Sequence, residues 1–261
     1  MREIALLRRF SHPCIVKLIT FAHTPTHICL VLELLSSGEL FGKLRDMKCG
    51  LSEGAARHVM RQIAQAVQYL HARGTVHRDV KLENILYQPQ TSEEVGCDAD
   101  VRDAAKYGIG AVKLGDFGLS KEIFDDKTQT PCGTIGYTAP EILQDQRYNF
   151  KVDIWALGCV LYTILCGFQP FYDHDPLKLA EKITRADYTF IEPFWKHISS
   201  EAKALIEECI RIPSSERPTI DQFLAHPWFT MASDAPKPNS QLPKIEVSRV
   251  KASLTSLSTS K

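Results

Sequence analysis

The 261-residue chain carries 31 basic and 31 acidic residues, and 44% of its residues are hydrophobic. This balance is ordinary for a globular protein and gives no electrostatic reason to expect a nucleic-acid or membrane partner. The eight cysteines form no C-x-x-C pair, which argues against a zinc site or a disulfide framework and favours the reducing cytosol or nucleus.

The first elements are predicted from their spacing and end signals. Ile4, Leu7 and Phe10 fall at helical spacing, and S-H-P at residues 11–13 ends that helix. Residues 26–35, T-H-I-C-L-V-L-E-L-L, predict a buried strand that runs into a linker. Further on, Ser52 can cap a long amphipathic helix. The apolar run at residues 154–166 is too short to span a bilayer, so it predicts a buried helix.

Residues 77–84 read H-R-D-V-K-L-E-N, and the polar positions suit phosphoryl transfer. The Asp79 carboxylate can accept a hydroxyl proton, and the Lys81 ammonium can neutralise charge on a moving phosphoryl group. The Asn84 amide oxygen is a hard ligand suited to Mg²⁺. Taken alone, these eight residues would fit a charged surface loop after a helix equally well.

Two further motifs follow in order, D-F-G at residues 116–118 and A-P-E at residues 139–141. With the H-R-D stretch they make the chain resemble a serine/threonine protein kinase over roughly residues 1–229. The resemblance implies ATP and Mg²⁺ as cofactors. It also implies an α+β fold, with a partial small lobe at residues 1–35 and a mainly helical large lobe at residues 36–229.

The resemblance assigns roles to the catalytic residues. Asn84 and Asp116 would hold Mg²⁺, Phe117 would help to set active and inactive states, and Thr134 would brace Asp79. A buried pair of Glu141 and Arg217 is also implied, and Asp153 would hold the backbone of the catalytic loop. Structural roles are therefore expected for His77, Arg78, Phe117, Glu141, Asp153 and Arg217.

The same resemblance places the nucleotide beside the linker. Leu32 would guard the back of the adenine pocket, and backbone groups from Glu33 to Leu35 would bond the adenine edge. Glu3 matches the glutamate of the regulatory helix. Glu39 matches an acid that meets ribose or a substrate arginine, although an acid at a helix start is also favoured by the helix dipole.

Part of the expected nucleotide site is missing from these 261 residues. The sequence contains no G-x-G-x-x-G, and no V-A-I-K-like stretch precedes Glu3. We therefore expect that the chain begins partway through the small lobe. The alternative is a catalytically weak, kinase-like binding module.

Three acids predict the substrate class. Glu39, Glu83 and Glu181 match positions at which basic-directed kinases meet substrate arginines. Arginine pairs with a carboxylate through a bidentate fork, so such acids can read position as well as charge. Ordinary surface acids remain the alternative. We expect protein substrates with arginine before the serine or threonine.

The activation segment, residues 119–141, carries the predicted phosphorylation site. Thr130 precedes Pro131, so a proline-directed kinase such as a MAP kinase could phosphorylate it, with Thr128 as the fallback. A phosphate there adds about −1.5 to −2 charges, and Arg78 beside the catalytic aspartate could bind it.

Composition sets the remaining boundaries. Residues 88–110 predict a mobile surface insertion of the large lobe, and residues 230–261 predict a disordered tail.

D-F-G-L-S-K at residues 116–121 and T-P-C-G-T at 130–134 resemble the calcium/calmodulin-dependent kinase group. With G-I-G at 108–110, the likeness is greatest to fungal stress-response kinases that act below a MAP kinase. We expect a monomer with an upstream MAP kinase.

Overall fold

The computed structural model describes residues 2–89, 98–122 and 135–231, with residues 2, 3, 5 and 122 described by their backbone alone. As predicted, the fold is α+β and mainly helical. The helices are α1 (Arg2–Leu7), α2 (Leu40–Met47), α3 (Glu53–His71), α4 (Ala99–Lys106), α5 (Pro140–Leu143), α6 (Lys151–Cys166), α7 (Pro176–Thr184), α8 (Ser200–Cys209) and α9 (Ile220–Leu224). The strands are β1 (Leu18–His23), β2 (Ile28–Leu32), β3 (Thr75–Val76), β4 (Ile85–Tyr87), β5 (Val112–Leu114) and β6 (Lys121–Glu122).

β1 and β2 form an antiparallel hairpin whose side chains face largely into solvent. The pairing runs from Leu18 opposite Leu32 to His23 opposite Ile28. No residue of β2 is fully buried, so the predicted buried strand is wrong. The physical reason is that β1 is its single sheet neighbour within the described residues, and a lone hairpin has no second layer to bury its faces.

The core of the large lobe is built on α6. Every residue from Val152 to Cys166 is buried, as expected for a helix that is apolar all round. Gly158 permits close packing, because an added Cβ would lie 2.6 Å from the Cβ of Cys209 on α8. α3 packs against α6, and its Ser52 cap accepts the Ala55 N–H. None of the helices in the described ranges is long and apolar enough to cross a bilayer.

Residues 98–110 belong to the packed large lobe. The carboxylate of Asp100 on α4 binds the buried guanidinium of Arg57 on α3, with Nε and Nη2 at 3.1 and 3.0 Å. Ala104 is fully buried. The predicted insertion therefore contains a helix that packs on the large lobe, because α4 supplies a buried charge partner. Residues 90–97 lie outside the described part of the chain.

β4 and β5 bring two motifs together. Ile85 pairs with Leu114 in the antiparallel register, and the Gly115 N–H donates to the Asn84 carbonyl at 2.9 Å. Asn84 immediately precedes β4, and Asp116 follows β5 after one residue. The two candidate metal ligands therefore lie at the same end of this ribbon.

Candidate active site

The catalytic loop, residues 77–84, is anchored by a buried carboxylate in the first turn of α6. Asp153 accepts the His77 N–H at 2.9 Å and the Arg78 N–H at 2.8 Å. Arg78 has a φ of 73°, a conformation that is costly for a non-glycine residue. The two hydrogen bonds stabilise this strained backbone immediately before Asp79.

His71, at the end of α3, is the third partner of Asp153. Its Nε2 lies 2.8 Å from Oδ2 of Asp153, the oxygen that also accepts the His77 N–H. Burial acts to raise the pKa of the Asp153 carboxyl, but its interactions with His71 and His77 outweigh this effect and bring the pKa below 3.8. The carboxylate therefore stays ionised and keeps accepting the loop's N–H groups.

Asp79 is held between a cation and an amide. The Lys81 ammonium lies 2.7 Å from Oδ2 of Asp79, and the Asn84 amide donates to the same oxygen at 2.9 Å. The same amide group also donates to the Asp79 carbonyl at 2.8 Å. Because both neighbours use Oδ2, these contacts leave Oδ1 as the oxygen that a substrate hydroxyl can approach.

The donor set fits Mg²⁺. The two bonds from the Asn84 amide nitrogen to Asp79 leave the Asn84 amide oxygen as a metal ligand. Asp116 is exposed, and one of its oxygens accepts the Gly118 N–H at 3.1 Å. No cluster of three or more His, Cys, Asp or Glu residues that could hold a metal occurs in the described ranges. In protein Mg²⁺ sites, phosphate and water oxygens commonly complete the shell.

His77 links the catalytic loop to the D-F-G motif. Its Nδ1 accepts the Asp79 N–H at 3.3 Å and its Nε2 lies 3.2 Å from the Gly115 carbonyl, which together suit the neutral Nε2–H tautomer. Burial lowers the pKa of the His77 imidazole below 6.5, although Asp153 and Asp79 act in the opposite direction. The ring packs edge-on against Phe117 at 4.9 Å.

Phe117 also contacts the segment between α1 and β1. It is almost fully buried, and its ring lies 5.5 Å from that of Phe10. The side chain of Glu3 on α1 lies outside what the structure describes. Phe117 thus connects the D-F-G motif to the small lobe by apolar packing.

The linker, residues 33–35, carries the groups expected to meet adenine. Within the described residues, the Glu33 carbonyl and the Leu35 N–H form no hydrogen bond, so one acceptor and one donor are available. Leu32 is 38% exposed. The Glu33 carboxylate instead binds the Lys113 ammonium, with both oxygens at 2.7 Å.

The structure brings together two of the three predicted substrate acids. Glu39 lies near Glu83, where its charge contributes to raising the pKa of the Glu83 carboxyl. Burial is the largest cause of that rise above 4.5, and Oε2 of Glu83 is buried without a hydrogen-bond partner in the described residues. Glu181 is on α7 and pairs with Arg185 at 2.8 Å.

Arg78 points its guanidinium at the start of the activation segment. It donates through Nε to the Leu119 carbonyl and through Nη1 to the Tyr148 hydroxyl, the latter at 2.7 Å. The predicted phosphorylation site, Thr130, and the predicted bracing residue, Thr134, lie outside the described residues.

Glu141 and Arg217 form the expected buried pair. Nη1 and Nη2 of Arg217 lie 2.6 and 2.9 Å from the two carboxylate oxygens. Nε donates to the Arg211 carbonyl at 2.8 Å, and the guanidinium lies over the Trp155 ring at 4.9 Å. This bidentate pair joins α5, which begins within the A-P-E motif, to the segment that precedes α9.

Residues 1–229 match the protein kinase domain. The chain belongs to the protein kinase family. This kinase chain is 45% identical to the serine/threonine-protein kinase srk1 of Schizosaccharomyces pombe, over 93% of the chain and 44% of that protein. It is 44% identical to the serine/threonine-protein kinase RCK2 of Saccharomyces cerevisiae, over 91% of the chain and 42% of that protein. It is 40% identical to the calcium/calmodulin-dependent protein kinase type II of Schizosaccharomyces pombe, over 94% of the chain and 51% of that protein.

These relatives confirm the resemblance drawn from the motifs, and the kinase chain spans less than half the length of the first two. Reasoning from the sequence missed His71, Lys113 and Tyr148 as members of the site. Their partners lie 82, 80 and 70 positions away in sequence, so no local pattern could have pointed to them.

Proposed function

We propose that the protein is an ATP-dependent serine/threonine protein kinase that transfers the γ-phosphoryl group to a hydroxyl of a protein substrate. One observation carries this proposal. The Asp79 carboxylate is held between Lys81 at 2.7 Å and Asn84 at 2.9 Å, on a loop fixed by Asp153. Positioning and charge stabilisation are what phosphoryl transfer requires of a protein.

Each residue has one task in this reaction. Asp79 accepts the proton of the substrate hydroxyl and orients that oxygen towards phosphorus. Lys81, beside it, stabilises negative charge on the phosphoryl group as it moves. Asn84 and Asp116 supply oxygen ligands for Mg²⁺. When bound, Mg²⁺ would supply positive charge that offsets the charge of the phosphates.

The alternative function is a catalytically weak, kinase-like binding module. The two functions differ in turnover, since a binding module would need neither the Asp79–Lys81 pair nor Mg²⁺ ligands.

We propose that the substrates are proteins that carry arginine before the serine or threonine. Support comes from Glu83, a half-buried acid in the catalytic loop. An arginine guanidinium would bind such a carboxylate with a charge-assisted hydrogen bond. Glu39 nearby adds negative charge to the same surface, whereas Glu181 pairs with Arg185, the residue that follows α7.

Control by an upstream MAP kinase completes the proposal. Thr130 lies before Pro131 in the activation segment, and a phosphate there would bind the Arg78 guanidinium in competition with Tyr148 and the Leu119 carbonyl. We place the protein in stress or calcium-type signalling, in the cytosol or nucleus, as a monomer.

The test is turnover of arginine-containing peptides by the longest natural form of the protein. Asp79→Asn keeps the side-chain shape but removes the base, so turnover falls by about 10²-fold or more. Asp187→Asn, at an exposed position on the large lobe, is the control and keeps wild-type turnover. If Asp79→Asn retains wild-type turnover, the kinase assignment is wrong.

A further inference from the structure

Glu33 is tied to two distant segments at once. Its carboxylate accepts the backbone N–H of Lys17 at 2.7 Å, and both of its oxygens lie 2.7 Å from the Lys113 ammonium. Its own N–H donates to the Lys17 carbonyl at 3.0 Å. Backbone and side chain of one residue therefore fix the start of the linker to β1 and to β5.

The geometry indicates a strong contact. The Glu33 and Lys113 side chains are 24% and 18% exposed, so water screens the pair less than it would screen a surface pair. Both Nζ–O distances are at the short end for charge-assisted hydrogen bonds. The Lys17 N–H further restricts the glutamate, since it fixes the carboxylate oxygen that also faces Lys113.

Lys113 lies on the strand that positions the metal-ligand candidates. It is the central residue of β5 and pairs in register with Leu86 of β4. Its neighbours Val112 and Leu114 are fully buried, which anchors the strand. Asn84 precedes β4 and Asp116 follows β5, so a shift of this ribbon would shift both oxygen ligands.

At the other end of the ion pair is the nucleobase contact. The Glu33 carbonyl and the Leu35 N–H are the groups available to an adenine edge. The distance between these groups and the Mg²⁺ ligands must match the distance from a nucleotide's base to its phosphates. The Glu33–Lys113 pair spans the gap between the two.

We propose that the Glu33–Lys113 ion pair is a positioning contact for the nucleotide, holding the linker at a fixed distance from the metal-binding ribbon. The inference rests on the proposed kinase function, because it assumes that the linker binds adenine. Neither side chain needs to touch the nucleotide. Their role is to set the length of its site, so they are positioning residues and not catalytic ones.

The deciding variant is Lys113→Met, which keeps the aliphatic stem and removes the charge. Removing a charge-assisted hydrogen bond from the positioning contact should weaken nucleotide binding by about tenfold. KM for ATP should rise to match, whereas kcat and KM for the peptide substrate should stay close to wild type. Lys113→Arg keeps the charge and the hydrogen bonds, so it should restore affinity.

The matched control is Lys182→Met. The Lys182 ammonium lies 2.9 Å from Asp173 in a partly exposed pair on the large lobe, away from the linker. It should leave nucleotide affinity unchanged. Dissociation constants for Mg-ADP from calorimetry, steady-state kinetics and melting temperatures are measured for all three variants in the longest natural form of the protein.

Two results would overturn the inference. Lys113→Met could bind Mg-ADP as tightly as wild type, or it could lose affinity together with kcat and melting temperature without rescue by Lys113→Arg. The second result would show a merely structural pair. Failure of the kinase assignment is seen separately, as wild-type turnover by Asp79→Asn, and the Mg-ADP affinities still report on the ion pair in that case.

Discussion

Several charged side chains of the large lobe are buried and paired, whereas apolar side chains of the β1–β2 hairpin are exposed. Asp153 and Arg217 are 0% and 1% exposed, yet Ile19 and Val31 are 62% and 45% exposed. Buried charges tolerate little displacement, because losing a partner leaves an uncompensated charge in a low-dielectric interior. Exposed apolar residues carry no such penalty. The residues proposed for catalysis are held in place by the buried, paired charges of the large lobe.

The largest expected effect comes from breaking the Glu141–Arg217 pair. Arg217→Met leaves the Glu141 carboxylate buried without its partner, which should lower the free energy of unfolding by roughly 3–5 kcal/mol. Urea unfolding followed by circular dichroism measures it. Arg211→Met is the control, because the Arg211–Glu216 contact is exposed and 3.8 Å long. Equal losses in both variants would contradict the distinction between buried and exposed pairs.

A smaller loss is expected at Asp153, where the partners are backbone groups. Asp153→Asn keeps the shape but turns an NH₂ group towards one of the two loop N–H donors. Leaving that donor unsatisfied should cost about 1–3 kcal/mol of unfolding free energy, and turnover should fall because the loop carries Asp79. Unfolding and peptide phosphorylation are measured together. Stability loss with unchanged turnover would show that the loop does not depend on this anchor.

The buried imidazole of His77 predicts a pH dependence. Its folded-state pKa lies below 6.5, so the unfolded chain binds the proton more readily. Stability should therefore be complete above about pH 6.5 and fall as the pH drops through the folded-state pKa, by at most about 1.4 kcal/mol per pH unit for one proton.

Urea unfolding between pH 5 and pH 7.5 measures the His77 contribution. His77→Asn should remove this part of the slope, whatever it does to overall stability. A wild-type slope in His77→Asn would assign the acid sensitivity to other groups.

The smallest effect is expected on the hairpin itself. Val31→Thr adds a hydroxyl at a position 45% exposed to solvent, so the free energy of unfolding should change by no more than about 0.5 kcal/mol. Val160→Thr makes the same change inside α6, where the residue is fully buried, and should cost about 1–3 kcal/mol. Similar costs at the two positions would remove the contrast between the regions.

The motif residues could be predicted from the sequence, because the chemistry fixes both residue type and spacing. The Glu141–Arg217 contact is an example, and it joins motifs 76 positions apart. The exposure of β2 could not be predicted, since composition describes a strand and not the neighbours that cover it. The docking of α4 was equally hidden, because a charge pair with Arg57 and only a few small apolar residues hold it.

The distribution of tryptophans determines what an optical experiment on this protein can detect. All three indoles, those of Trp155, Trp195 and Trp228, are fully buried in the large lobe. Intrinsic fluorescence will therefore follow the unfolding of that lobe, and the hairpin will contribute no indole emission of its own. A tryptophan introduced at Phe21 would give the small lobe a separate spectroscopic signal.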